Sequence, residues 1–138
     1  MADVLTTFWD DLAEDLQDPE FLRTYVAESI RIETIDRLVN ELDDVRAAGG
    51  LSKADVARAI SAEPAVVRRL LSLNHRNPTI GTLVEVAAAL GLRVTLEPMP
   101  DHELKEITEP LRSGVVADPG RLVRSMAARR GDAPPASV

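Results

Sequence analysis

The sequence predicts an all-α protein of about five to seven helices with one short strand. Three observations carry this. Apolar residues recur at steps of three and four through Ile32, Ile35, Leu38/Val39, Leu42 and Val45, a spacing that gathers side chains on one helix face. Helix starts and stops alternate along the chain: Asp18-Pro19, Ser52, Pro64, Thr79 and Asp118-Pro119 open segments, and Gly49-Gly50 and Gly91 close them. Two-residue alternation is confined to Arg93-Val94-Thr95-Leu96-Glu97.

Taken in order, residues 4–16 form a short acidic amphipathic stretch. Asp18 suits an N-cap and Pro19 the first helical position, where the missing N–H costs nothing. The long helix that follows ends at Gly49-Gly50. Ser52-Lys53-Ala54-Asp55 has capping-box spacing and opens a helix to about Ile60. Ser61-Ala62-Glu63 makes a short turn before Pro64 starts the next helix, to about Ser72, with Val67, Leu70 and Leu71 on one side. The polar, proline-bounded stretch 73–78 reads as a loop. Thr79 caps a further helix with Leu83, Val86, Ala87 and Leu90 inward. Gly81 in its first turn costs ~1 kcal/mol against alanine. Arg93–Glu97 reads as a strand stopped by Pro98 and Pro100. Residues 101–113 and 119–130 read as two weaker helices, and residues 132–138 as a disordered end. This divides the chain into an aromatic-bearing acidic start (1–30), a central helical domain (31–92), and a strand with a tail (93–138).

Composition narrows the function classes. At 138 residues, 45% of them apolar, the chain suits one domain with appendages. The absence of cysteine removes disulfides, thiolate metal sites and cysteine nucleophiles. No apolar stretch is long enough to span a membrane and Met1–Asp10 lacks a basic leader, so a cytoplasmic protein with no membrane association is expected. The two histidines, His75 and His102, have no carboxylate set at ligand spacing, so neither a metal site nor a cofactor is expected. Asp10, Asp11, Glu14 and Asp15 read as the solvated face of a helix rather than as catalytic carboxylates. With no glycine-rich phosphate loop and no Gly-x-Ser-x-Gly, an enzyme is not expected.

The formal charge of −7 is unevenly spread. Residues 1–48 hold thirteen acids and four bases, residues 49–97 four acids and six bases, and residues 98–138 six of each. Because a nucleic acid senses charge within about a Debye length, ~10 Å at 0.1 M salt, the overall acidity does not exclude DNA. The four aromatics, Phe8, Trp9, Phe21 and Tyr25, all fall in the acidic start. They make either a local core clamping the first helix onto the second, or an anchor for a basic protein partner.

The central spacing of two short helices, a three-residue turn between them, a polar loop and another helix is a helix-turn-helix layout. Ala57 is small enough for the two motif helices to cross closely, and Val56, Ile60, Val67 and Leu70 form the wedge between them. The second motif helix is then left half exposed, able to enter a DNA major groove ~12 Å wide.

Leu51-Ser-Lys-Ala-Asp-Val-Ala-Arg-Ala-Ile60, Val67-Arg-Arg-Leu-Leu71, Asn77-Pro-Thr79 and Leu83–Leu92 resemble the Cro/phage-repressor-like, or XRE, helix-turn-helix family. Phe8-Trp-Asp-Asp-Leu12, Asp18-Pro-Glu-Phe-Leu-Arg-Thr-Tyr25 and the Arg93–Pro98 exit are similar to its HigA-type antitoxin branch. The resemblance implies a lambda-repressor-like domain with an N-terminal helical extension and a C-terminal helical tail. It implies a homodimeric repressor that binds operator DNA, controls its own toxin–antitoxin operon, and captures a small basic ribonuclease toxin.

Carried over by position, Ser52 and Lys53 would meet phosphate. Glu63, Pro64, Ala65, Arg68 and Arg69 would face the groove, with Ser72, Asn74, His75 and Arg76 near the DNA backbone. Phe8, Trp9, Phe21 and Tyr25 would bind the partner. The chain departs from the family where Ser61 replaces a common glycine, Glu63 a Ser or Thr cap, and Pro64-Ala65 the usual base-reading side chains. Two alternatives therefore accompany the antitoxin reading: a stand-alone transcription factor without a toxin, and a protein-interaction adaptor that has lost DNA binding.

Overall fold

The computed structural model describes residues 4–72 and 77–131, with side chains from Thr7 onward. The expected disordered end, 132–138, and part of the expected loop, 73–76, lie outside the described residues. The fold is all-helical: α1 (Val4–Asp15), α2 (Pro19–Ala48), α3 (Lys53–Ala59), α4 (Pro64–Leu70) and α5 (Ile80–Ala89) precede a second helical run. That run joins α6 (Asp101–Glu103), a π-helical turn (Leu104–Thr108) and α7 (Glu109–Ser113), and α8 (Pro119–Arg129) follows.

Most helix boundaries follow from local chemistry. Asp18 Oδ2 accepts from the Phe21 N–H at 3.4 Å, Thr79 Oγ1 from the Thr82 N–H at 3.2 Å, and Asp118 Oδ1 from the Arg121 N–H at 3.0 Å. Each satisfies a donor that the first turn leaves open. Gly50 and Gly91 take positive φ of 71° and 77°. At α2, Leu51 N–H reaches Arg46 C=O and Gly50 N–H reaches Ala47 C=O, and α5 closes the same way onto Ala87 and Ala88. These paired bonds recover carbonyls orphaned at a helix end. The π-helical turn has its own cause. Pro110 has no N–H to offer and its ring crowds the Glu106 carbonyl one turn back, so the helix widens just upstream.

The expected strand is absent among the described residues. Arg93–Glu97 lies outside any helix, but no second strand is present to pair with it. Alternation prepares a segment for a sheet, whereas a strand exists only through its ladder partner.

The chain divides into two compact units. The central unit is Thr34–Glu97. Its core holds Leu42 from α2, Val56 and Ala57 from α3, Val67 and Leu70 from α4, Leu71, and Val86 and Ala87 from α5. The terminal unit takes residues up to Glu33 together with residues from Pro98 onward. Its core joins Leu16, Leu22 and Val26 to Ile107, Leu122, Val123 and Met126. The terminal segments, read separately in the sequence, are therefore one packed body.

Helix α2 serves both cores with different stretches, Leu22 and Val26 in one and Leu42 in the other. Ile32 falls between these stretches and is 43% exposed, off the core face expected for it. No helix among the described residues is long and apolar enough to cross a membrane.

Candidate nucleic-acid interface

The candidate interface is built on α3, α4 and the turn between them. At the start of α3, Asp55 N–H donates to Ser52 Oγ at 3.0 Å and Ser52 N–H to Asp55 Oδ2 at 2.8 Å, completing the capping box. Ser52 is exposed. The Ser52 N–H bond and hydroxyl, with the nearby Arg58 guanidinium, hold the Asp55 carboxyl below its usual value. Arg58 pairs with Asp55 on this exposed edge. Lys53, half-buried, makes no salt bridge among the described residues and is the uncommitted cation at this end of α3.

Ala57, fully buried, lies in the core of the central unit with Val56, Val67 and Leu70, and Ile60 packs part-buried against it. The intervening turn contains Ser61 at φ +54°, the one non-glycine residue with positive φ among those described. Ala62 N–H donates to Ala57 C=O at 2.9 Å and Ser61 N–H to Arg58 C=O at 3.2 Å. This is the closure seen at Gly50 and Gly91, made here by a residue with a Cβ.

Helix α4 is two-sided. Val67 and Leu70 are buried, whereas Ala65, Arg68 and Arg69 are exposed and share a face at i, i+3 and i+4. Ser72, just past the helix, continues that spacing. Glu63 is exposed at the N-cap position without a side-chain capping bond, and Pro64 follows at the first helical position. Neither arginine forms a salt bridge among the described residues. The backbone-contact expectations at Asn74, His75 and Arg76 lie outside the described residues.

Arg69 also edges a cleft of about 220 Å³ between α4 and the start of α5, with Val66, Leu70, Pro78, Thr79 and Thr82. Thr79 Oγ1 and Thr82 Oγ1 are hydrogen-bonded at 2.8 Å on its wall. Sequence reasoning used Thr79 only as a cap and passed over Thr82. Their approach to Arg69 depends on tertiary packing that no local spacing signals.

The four aromatics divide. Trp9 and Tyr25 pack against the terminal core, and the Arg130 guanidinium stands 5.8 Å above the Tyr25 ring. The Trp9 indole N–H is buried without an acceptor among the described residues. Phe8 meets Trp9 edge-on at 5.2 Å yet remains 54% exposed, and Phe21 is 38% exposed. One pair is therefore part-buried against the core and the other exposed. Asp10, Asp11, Glu14 and Asp15 of α1 are all exposed, as a solvated face requires.

Sorting charge by unit changes its distribution. Residues 34–97 hold eight acids and eight bases, while the remaining residues hold fifteen acids and eight bases. The formal −7 belongs entirely to the terminal unit. Among groups of His, Cys, Asp and Glu in the described residues, none is arranged to hold a metal ion. No family model, no curated protein and no solved structure matches the chain.

Proposed function

We propose that this chain is a sequence-specific DNA-binding transcription regulator acting as a homodimer. On this reading α3 and α4 form a helix-turn-helix and α4 enters the major groove. The observation that carries it is the two-sidedness of α4, with Val67 and Leu70 in the core and Arg68 and Arg69 uncommitted on the outer face. Arginine is suited to this position because its guanidinium can clamp guanine O6 and N7 together. Lys53 would bind phosphate without reading sequence. A single module reads few base pairs and buries only ~600–1,000 Å², so a second copy is needed for useful affinity.

Mobility shift on the chain's own upstream DNA across a salt series tests this. Arg69→Ala is expected to cost ~1–3 kcal/mol and relax the sequence preference, while Lys53→Ala weakens all sequences alike and lowers the salt slope by about one. Wild-type footprints from both variants would remove α4 and Lys53 from the interface.

We further propose the antitoxin setting, in which the terminal unit holds a small basic ribonuclease. Phe8 and Phe21 support this, as exposed aromatics on the unit that carries the whole net negative charge. Co-purification of a neighbouring basic reading frame with the full-length chain, weakened in Phe8→Ala/Phe21→Ala, is the expected result. Without such a reading frame, the stand-alone regulator is the better description. The adaptor reading is favoured by the first turn of α4, where Glu63 offers a negative charge and Pro64 and Ala65 offer no hydrogen-bonding side chain. A mobility shift absent at every salt concentration selects it.

A further inference from the structure

Arg93 to Glu97, between α5 and Pro98, is exposed at every residue; Leu96 is completely so (101%) and Val94 39%. No backbone N–H or C=O of these five residues bonds to another backbone group among the described residues. The segment also alternates, with Arg93, Thr95 and Glu97 assigned to one face and Val94 and Leu96 to the other when extended. An alternating segment with unpaired backbone is a template for another strand.

The order Arg-Val-Thr-Leu-Glu is complementary to itself when reversed. If two copies align antiparallel about Thr95, Arg93 of each stands opposite Glu97 of the other. Val94 stands opposite Leu96 twice, and Thr95 faces its own counterpart. Opposite charges, apolar pairs and a threonine pair are all favourable across a ladder. A shift by one residue would set apolar side chains against polar ones. Parallel pairing would put Arg93 beside Arg93 and Glu97 beside Glu97. Pro98 and Pro100, lacking N–H groups, stop the ladder at its far end.

We propose that residues 93–97 form a self-complementary edge through which two copies of this chain pair as antiparallel strands, with Thr95 on the twofold axis. This names the surface for the homodimer proposed above and rests on that reading only in expecting two copies; pairing is measured without DNA.

The chain has no cysteine, so an introduced thiol is the sole one present. Directly opposed residues in an antiparallel ladder have Cα atoms ~4.5–5.5 Å apart, within disulfide range, while diagonal neighbours lie beyond it. Under mild oxidation the full-length Thr95→Cys chain is expected to form a covalent dimer. Val94→Cys alone is not, but a mixture of Val94→Cys with Leu96→Cys is. By sedimentation, Arg93→Glu should raise the dimer dissociation constant by ~10-fold, since it places like charges opposite each other twice. Arg93→Glu/Glu97→Arg should restore it to within ~3-fold. Helix content by circular dichroism reports folding independently, because the segment lies outside every helix.

A wild-type chain that sediments as a monomer at ~100 µM overturns the proposal. So does a dimer that is indifferent to Arg93→Glu, or one in which Thr95→Cys stays reduced while other positions cross-link. Retained operator binding beside any of these results leaves the DNA reading standing. Cross-linking without operator binding refutes the DNA reading and keeps the pairing.

Discussion

Replacing Ser61 by glycine should stabilise the central unit. Ser61 holds φ +54° so that the turn between α3 and α4 can close through Ala62 N–H to Ala57 C=O and Ser61 N–H to Arg58 C=O. A residue with a Cβ costs ~1–2 kcal/mol in the left-handed region, because Cβ crowds the neighbouring carbonyl. Glycine removes that cost but is freer when unfolded, which offsets ~0.4–1 kcal/mol. Ser61 is exposed, so no packing is lost. The net gain is ~0.5–1 kcal/mol, or ~2–8 °C in Tm for a unit of this size. Ser61→Val should move stability ~1 kcal/mol the other way, since a β-branched residue fits this conformation worst. Urea unfolding followed by circular dichroism on the three chains decides it, with the order glycine, serine, valine expected. A glycine variant no more stable than wild type would refute the strain argument.

Other substitutions test separate parts of the structure. Gly114→Ala should destabilise the terminal unit by at least ~2 kcal/mol in urea unfolding, since the residue has φ +73° and the new Cβ would meet Pro19 Cβ at 2.9 Å. Arg129→Ala should cost ~1–3 kcal/mol in thermal unfolding. Its guanidinium lies 3.5–3.7 Å from Glu33, Glu103 and Glu106, and truncation leaves those carboxylates facing one another. Arg129→Lys should recover part of the loss. Asp55 contributes to stability through a lowered folded-state pKa, so its contribution is complete above its ordinary value of 3.8 and disappears as pH falls through the lowered one. The stability gap between wild type and Asp55→Asn should therefore narrow as pH drops from about 5 to about 3, measured by unfolding at each pH.

What the sequence made legible was local. The caps at Asp18, Ser52, Thr79 and Asp118 and the stops at Gly50 and Gly91 each involve groups within five residues, and each is present in the structure. The buried faces of α4 and α5 follow from spacing within single helices. The union of residues 9 and 25 with residues 107, 122 and 126 in one core depends on chain-distant packing, for which alternation and periodicity have no signature. Phe8 and Trp9 differ for a local reason: adjacent residues on a helix point about 100° apart, so Trp9 packs part-buried against the terminal core while Phe8 is 54% exposed. Phe21 and Tyr25, four apart and on one side of α2, differ only in degree, Phe21 being 38% exposed and Tyr25 part-buried against that core.

Charge and strand pairing then bear on the same question. On the proposed DNA-binding reading, with the net charge confined to the terminal unit, a formally neutral central unit would meet DNA through an outer face that presents Arg68 and Arg69, and long-range repulsion would come from elsewhere in the chain. Added salt both weakens phosphate contacts and screens that repulsion, so the measured salt slope should be shallower than the number of phosphate contacts alone implies. The segment 93–97 belongs to this formally neutral unit. If the proposed pairing holds, the alternation read from Arg93 to Glu97 describes contacts between chains rather than within one.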